Sequence, residues 1–146
     1  MVNRTPLRGV GGRSAARVVA VSVLLMFFTL PHTLEDFAVG EPEEAGVPAA
    51  VLALVISVVF ALQALGIYWL GAGKRRGLVA HALVGVFWPV AAGIAQLPVL
   101  LSGEPYRDGA VSVIYVVGII VVGAALAVSS LWLLRAGANT DSETGR

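Results

Sequence analysis

The sequence predicts an all-α integral membrane protein, a four-helix bundle of up-down-up-down topology. Three observations carry that expectation. Of 146 residues, 58% are hydrophobic and only 13% are charged, where a soluble chain carries about a quarter of its residues charged. The charges leave four long uncharged runs, residues 18–34, 45–73, 77–103 and 109–134. Those runs are continuously apolar instead of alternating with period two, which excludes a transmembrane β-barrel. A mean hydropathy of +0.87 excludes a disordered chain. The lack of Cys excludes a disulfide scaffold. A net charge of +1 omits the basic footprint that phosphate backbones require, so no nucleic-acid partner is expected.

A hydrocarbon core of about 30 Å needs roughly 20 apolar residues as helix. The first expected span, 18–34, reaches that length with Thr33 and Leu34 at the interface, and a basic tail, 1–17, precedes it with Arg4, Arg8, Arg13 and Arg17. A basic start before an apolar stretch also suits a signal peptide. Pro31, His32 and Glu35 stand where small residues would mark cleavage, however, so a retained span is expected, with Ala38-Val39-Gly40 the alternative cleavage triplet. The second span, 48–72, ends among Tyr68 and Trp69, rings suited to the headgroup level. The third, 78–101, contains Pro89 and Pro98, expected to bend or end helical turns, and the small residues Ala91, Ala92, Gly93 and Ala95, expected to let a neighbouring backbone approach. In the fourth, 110–134, Gly118, Gly123, Ala124 and Ala125 serve the same purpose, while Tyr106, Tyr115 and Trp132 read as interfacial anchors. A short cytoplasmic tail, 135–146, follows, and no soluble domain interrupts the single membrane domain 18–134.

Lys and Arg orient the bundle. They precede the first span, form the 74–76 turn and close the fourth span at Arg135, whereas the loop after the first span carries Glu35, Asp36, Glu41, Glu43 and Glu44. Basic residues are retained on the cytoplasmic side. The expected location is therefore the cell (inner) membrane, multi-pass, with both termini cytoplasmic. Glu41, Glu43 and Glu44 read as a solvated turn, with binding of calcium or a cationic partner as the alternative. Arg outnumbers Lys nine to one, the bias of a GC-rich prokaryotic genome.

Few polar groups remain inside the spans. If helix continues through residues 31–37, then His32, Glu35 and Asp36 stand at i, i+3 and i+4 and share one face. An imidazole and two carboxylates so spaced can take a divalent metal or pass a proton, and they can equally be an interfacial helix end. At 1.5 Å per residue, His32 lies about 22 Å along its span from Arg17, and Gln96 about 30 Å from Arg76. Both belong to the outer half. His81 lies only about 7 Å from Arg76, so it shares no shell with His32 unless the third span breaks at Pro89. Gln63 falls about 16 Å from Lys74, near mid-span, suited to an interhelical hydrogen bond or a cavity wall. Gln63, His81 and Gln96 are the candidate ligand-binding residues. His32, Glu35 and Asp36 are the candidates for catalysis and for metal.

The stretch His32-Thr33-Leu34-Glu35-Asp36 resembles the signature of the HXXEE-motif membrane proteins, a family of small multi-span proteins without an established function, with Asp36 in place of the second Glu. His81-Ala82-Leu83 through Pro89 to Gly93 is similar to that family's later segment. The resemblance implies His32, Glu35 and Asp36 as the central group.

Three roles from different classes follow. The first is a structural or accessory subunit, docked on a protein partner or on copies of itself, in which the polar group fixes helix packing. The second is a protein that binds a metal or a lipid-like ligand through that group. The third is an enzyme acting on a lipid-like substrate, with His32 as acid or base, Glu35 or Asp36 orienting it, and Gln96 as a donor. The chain has no Cys, and Ser57, Ser112, Ser129 and Ser130 stand without a partner motif, so no nucleophile is evident.

Overall fold

The computed structural model describes residues 12–103, Tyr106 and residues 109–143, with side chains as far as Gly137. Five helices follow in order: α1 (Gly12–Val39), α2 (Glu41–Glu44), α3 (Ala49–Gly71), α4 (Arg76–Leu101) and α5 (Ala110–Glu143). The described residues contain no strand. Four of the helices, α1, α3, α4 and α5, are long and apolar enough to cross a membrane. The chain is an all-α, multi-pass membrane bundle.

Glycine contacts fix the arrangement. Gly118 of α5 faces the Phe28 ring of α1, Gly85 of α4 faces Gly123 and Ala127 of α5, and Gly77 of α4 faces Gly66 and Leu70 of α3. In the α4–α5 and α3–α4 pairs the residue numbers rise on one helix as they fall on the other, so sequential spans pack antiparallel. The α4–α5 interface is the most extensive, and a lighter α1–α3 contact closes the ring. Leu25, Leu78, Val84, Ile119 and Leu126 are completely buried along its axis.

Where lipid surrounds a bundle, polar side chains collect inside and apolar ones face out. Ser22, Thr29, His32, Gln63, His81, Gln96, Ser112 and Ser130 are all buried, while Phe27, Ile94 and Val128 are 65%, 75% and 67% exposed. Basic residues gather at one end. Arg76 lies 4.3 Å over the Trp69 ring, and Arg75 donates to the Leu134 carbonyl at 2.8 Å, tying α4 to α5. The opposite end carries Glu35, Asp36, Glu41, Glu43 and Glu44.

Three expectations change. α1 does not stop near residue 34 but continues through Pro31 to Val39, with His32 and Thr33 buried just beyond the proline. α4 is one helix across both Pro89 and Pro98, neither of which ends it. Proline removes one N–H and crowds the preceding turn. Here the Pro89 ring occupies the space that Gly123 leaves, with Cγ 2.6 Å from where a Cβ would stand. α5 runs on past residue 134 to Glu143. Of the expected tails, Arg4 and Arg8 and the last three residues lie outside the described residues, whereas Arg13 and Arg17 already belong to α1.

The reversal after α1 positions the site. Gly40 sits at φ 78°, the left-handed region that glycine enters without a Cβ penalty, and Pro42 follows in the first turn of α2. That turn swings Glu41 back toward the bundle.

Candidate functional site

At the acidic end a cavity of about 240 Å³ opens between α1, α2, α3 and α4. Its polar end is formed by His32 and Asp36 of α1, Glu41 of α2 and Gln96 of α4. Its depth is apolar, walled by Leu52 and Ile56 of α3, Phe87 and Trp88 of α4 and Ile119 of α5. The chain reads locally as it must to make that space. Ala91, Ala92 and Ala95 fall on one face of α4, and their short side chains leave room where larger residues would meet α1 and α3. Sequence reasoning assigned these alanines to close helix approach; three of them line the void instead. The floor is held by rings, with Trp88 5.4 Å from both Phe60 and Phe87.

Because α1 continues through the motif, His32, Glu35 and Asp36 do share one face. His32 Nδ1 stands 3.6 Å from Glu35 Oε2 and 3.7 Å from Asp36 Oδ1. It is buried and makes no hydrogen bond. Glu35 is not among the residues lining the cavity, and the Ser112 hydroxyl of α5 donates to it. Among the described residues, no group of three or more His, Asp and Glu side chains is placed to hold a metal ion.

Gln96 links three parts of the chain. Its Nε2 donates to Glu41 Oε1 at 2.8 Å, and its Oε1 accepts from the Tyr106 hydroxyl at 2.6 Å. Glu41 was expected in a solvated turn and Tyr106 as an interfacial anchor. Glu41 is half-buried at the cavity mouth, while Glu43 and Glu44 are exposed, and Tyr106 is buried. The cause is the Gly40 reversal for Glu41 and the amide of Gln96 for both. Burial, reinforced by the charges of Asp36 and Glu35, pushes the Tyr106 phenol up to about 12.

A raised phenol keeps its proton, so the Tyr106–Gln96 bond contributes fully below the ordinary tyrosine value of about 10 and is lost as pH rises through about 12. The expected result is a phenolate absorbance step near pH 12 in the wild type that is missing from Tyr106→Phe. A difference titration with its midpoint near the ordinary value of about 10 contradicts the buried setting.

The remaining candidates lie elsewhere. Gln63 donates from Nε2 to the Ser22 carbonyl at 2.8 Å and to Ser22 Oγ at 3.0 Å, an interhelical bond between α3 and α1. His81 Nδ1–H donates to the Gly77 carbonyl at 2.7 Å, its ring lying against Gly66. Neither lines the cavity. With α4 unbroken, His81 stays on the basic side of Pro89 and apart from His32.

Tyr106, Trp88 and Ser112 escaped sequence reasoning as residues of the site, and Glu41 was expected in a solvated turn, with cation binding as the alternative. A tryptophan at mid-span, away from the headgroup level that the ring prefers, was a readable signal for Trp88. The Gly40-Glu41-Pro42 turn was one for Glu41. Nothing local marked Tyr106 or Ser112. No family model, no curated protein and no solved structure matches the chain.

Proposed function

We propose that this chain is a protein of the cytoplasmic membrane, both termini inside, that binds a lipid-like amphiphile in the cavity at its acidic, outer end. The observation that carries the reading is the cavity's polarity profile. Its charged and amide side chains are confined to the end where α1 emerges, and a trough that is apolar apart from the Trp88 indole N–H extends beneath them toward Phe87, about 13 Å along α4 from Gln96. A headgroup and a chain require that order, and a site that takes a chain needs apolar walls with few placed polar groups. Packing alone, as in an accessory subunit, calls for filled helix interfaces and leaves the alanine face without purpose. The basic end, with Arg13, Arg17, Lys74, Arg75, Arg76 and Arg135, supports the orientation. The resemblance of residues 32–36 to the HXXEE-motif family agrees with this reading, since that motif supplies two of the polar groups at the cavity.

The test uses a diazirine-bearing dodecyl alcohol with the protein in phosphatidylcholine nanodiscs. Saturable photolabelling is expected on peptides of α3 and α4 that face the cavity. Ala92→Trp fills the trough and is expected to reduce labelling about tenfold or more, whereas Gly93→Ala, a change on the same helix with only Leu97 Cδ1 nearby at 3.7 Å, leaves it unchanged. Labelling that does not saturate, or that Ala92→Trp leaves intact, refutes the binding role.

A further inference from the structure

Resting on the cavity reading, we propose that the occupant is a long-chain primary amine, its ammonium held by Asp36 and Glu41 beside His32 and its chain lying along the alanine face of α4. Asp36 and Glu41 both line the polar end, and both are carboxylates. The third group there is an imidazole whose Nδ1 is buried with no hydrogen-bond partner, on a residue only 5% exposed. An ammonium carries three N–H donors and no acceptor. Two carboxylates supply the complementary acceptors, with the buried His32 ring beside them.

The charge of this end selects a cation. Glu35, Asp36, Glu41, Glu43 and Glu44 stand there, and the described residues of that end include no Lys or Arg. A concave site of one sign with low-dielectric walls concentrates the opposite charge. An anionic headgroup would face that field with no guanidinium or ammonium among the groups lining the cavity. A quaternary ammonium has charge but no N–H, and is recognised by aromatic cages. The aromatic rings lining this cavity, Phe87 and Trp88, belong to its depth instead of its polar end. Hydrogen-bonding ammonium is the headgroup left.

The experiment competes dodecylamine, dodecanol, dodecyltrimethylammonium and dodecanoate against the diazirine alcohol in neutral phosphatidylcholine nanodiscs. Dodecylamine is expected to compete about tenfold or more better than each of the others, as hydrogen bonds to charged partners predict. The double variant Asp36→Asn with Glu41→Gln is expected to erase that preference while still binding dodecanol, which shows that its cavity has formed. Glu43→Gln with Glu44→Gln removes the same charge from exposed positions of α2 and is expected to keep the preference. Amine and alcohol competing equally in the wild type overturns the amine assignment and leaves the cavity standing. Equal binding of the trimethylammonium overturns the hydrogen-bonded ammonium, and loss of preference in the Glu43 and Glu44 variant overturns the local site in favour of bulk charge. If no amphiphile competes, the cavity reading itself falls.

Discussion

Gly85→Ala is expected to lower the stability of the bundle by about 3 kcal/mol, the upper end of overpacking costs. A Cβ on Gly85 would stand 2.5 Å from the Ala127 nitrogen and 2.8 Å from the Gly123 carbonyl oxygen. Both are backbone atoms of α5, so no rotamer change relieves the clash. The two helices have to separate, and this is the bundle's most extensive interface. Separation would also draw the Pro89 ring away from Gly123, exposing the turn that the proline disrupts. Against this stands a gain of at most about 1 kcal/mol from replacing glycine within a helix. Gly93→Ala isolates that gain, because its Cβ would meet only Leu97 Cδ1 at an ordinary 3.7 Å. Denaturant unfolding in micelles, followed by helical circular dichroism, should show a large loss for Gly85→Ala and no loss for Gly93→Ala. Similar midpoints for the two variants would contradict the packing described for α4 and α5.

The four spans were legible because a lipid-exposed helix needs an uncharged run of sufficient length, and residues 18–34, 45–73, 77–103 and 109–134 provide four. The shared face of His32, Glu35 and Asp36 was legible for a similar reason, since it follows from helical period once α1 is known to continue. Gln63 was readable as an interhelical donor, though not the identity of Ser22 as its partner. What local pattern does not encode is which side chains meet after the chain has folded back. Glu41 and Gln96 are 55 residues apart, and Ser112 and Glu35 are 77 apart. Their pairing depends on the register between helices, which is set by small steric facts such as the fit of Pro89 to Gly123. Small residues illustrate the difficulty directly. Gly123 and Ala92 read alike in sequence, as permission for close approach, yet one receives the Pro89 ring of its neighbour and the other faces a void. Composition shows that space exists beside a helix; only packing decides whether protein or ligand fills it.

Gln96→Leu is expected to cost about 2–3 kcal/mol locally and to weaken amphiphile binding about tenfold or more, while the four spans stay assembled. Leucine preserves most of the side chain's volume, so the cavity keeps its shape. What is lost is the amide that donates to Glu41 and accepts from Tyr106. α2 is a single turn attached through Gly40, too short to be stable as an isolated helix. Its position over the cavity therefore relies on tertiary contacts, Pro42 packing and the Gln96 bond among them. Without the amide, the half-buried Glu41 carboxylate loses its bond to α4, and α2 is held less firmly over the cavity. Hydrogen exchange separates this from general destabilisation. Faster exchange is expected at the Ala45 and Val47 amides, which are bonded to Glu41 and Pro42 carbonyls, and unchanged exchange at mid-span amides of α4. Tyr106→Phe removes one half of the linkage and is expected to produce a smaller effect, with little further loss when added to Gln96→Leu, because both changes act on one network. Full additivity of the two would mean that Tyr106 and Gln96 support the site independently. Unchanged exchange at Ala45 and Val47 would mean that α2 is held by Pro42 and the apolar wall alone, and Gln96 would then matter only as a contact for the headgroup.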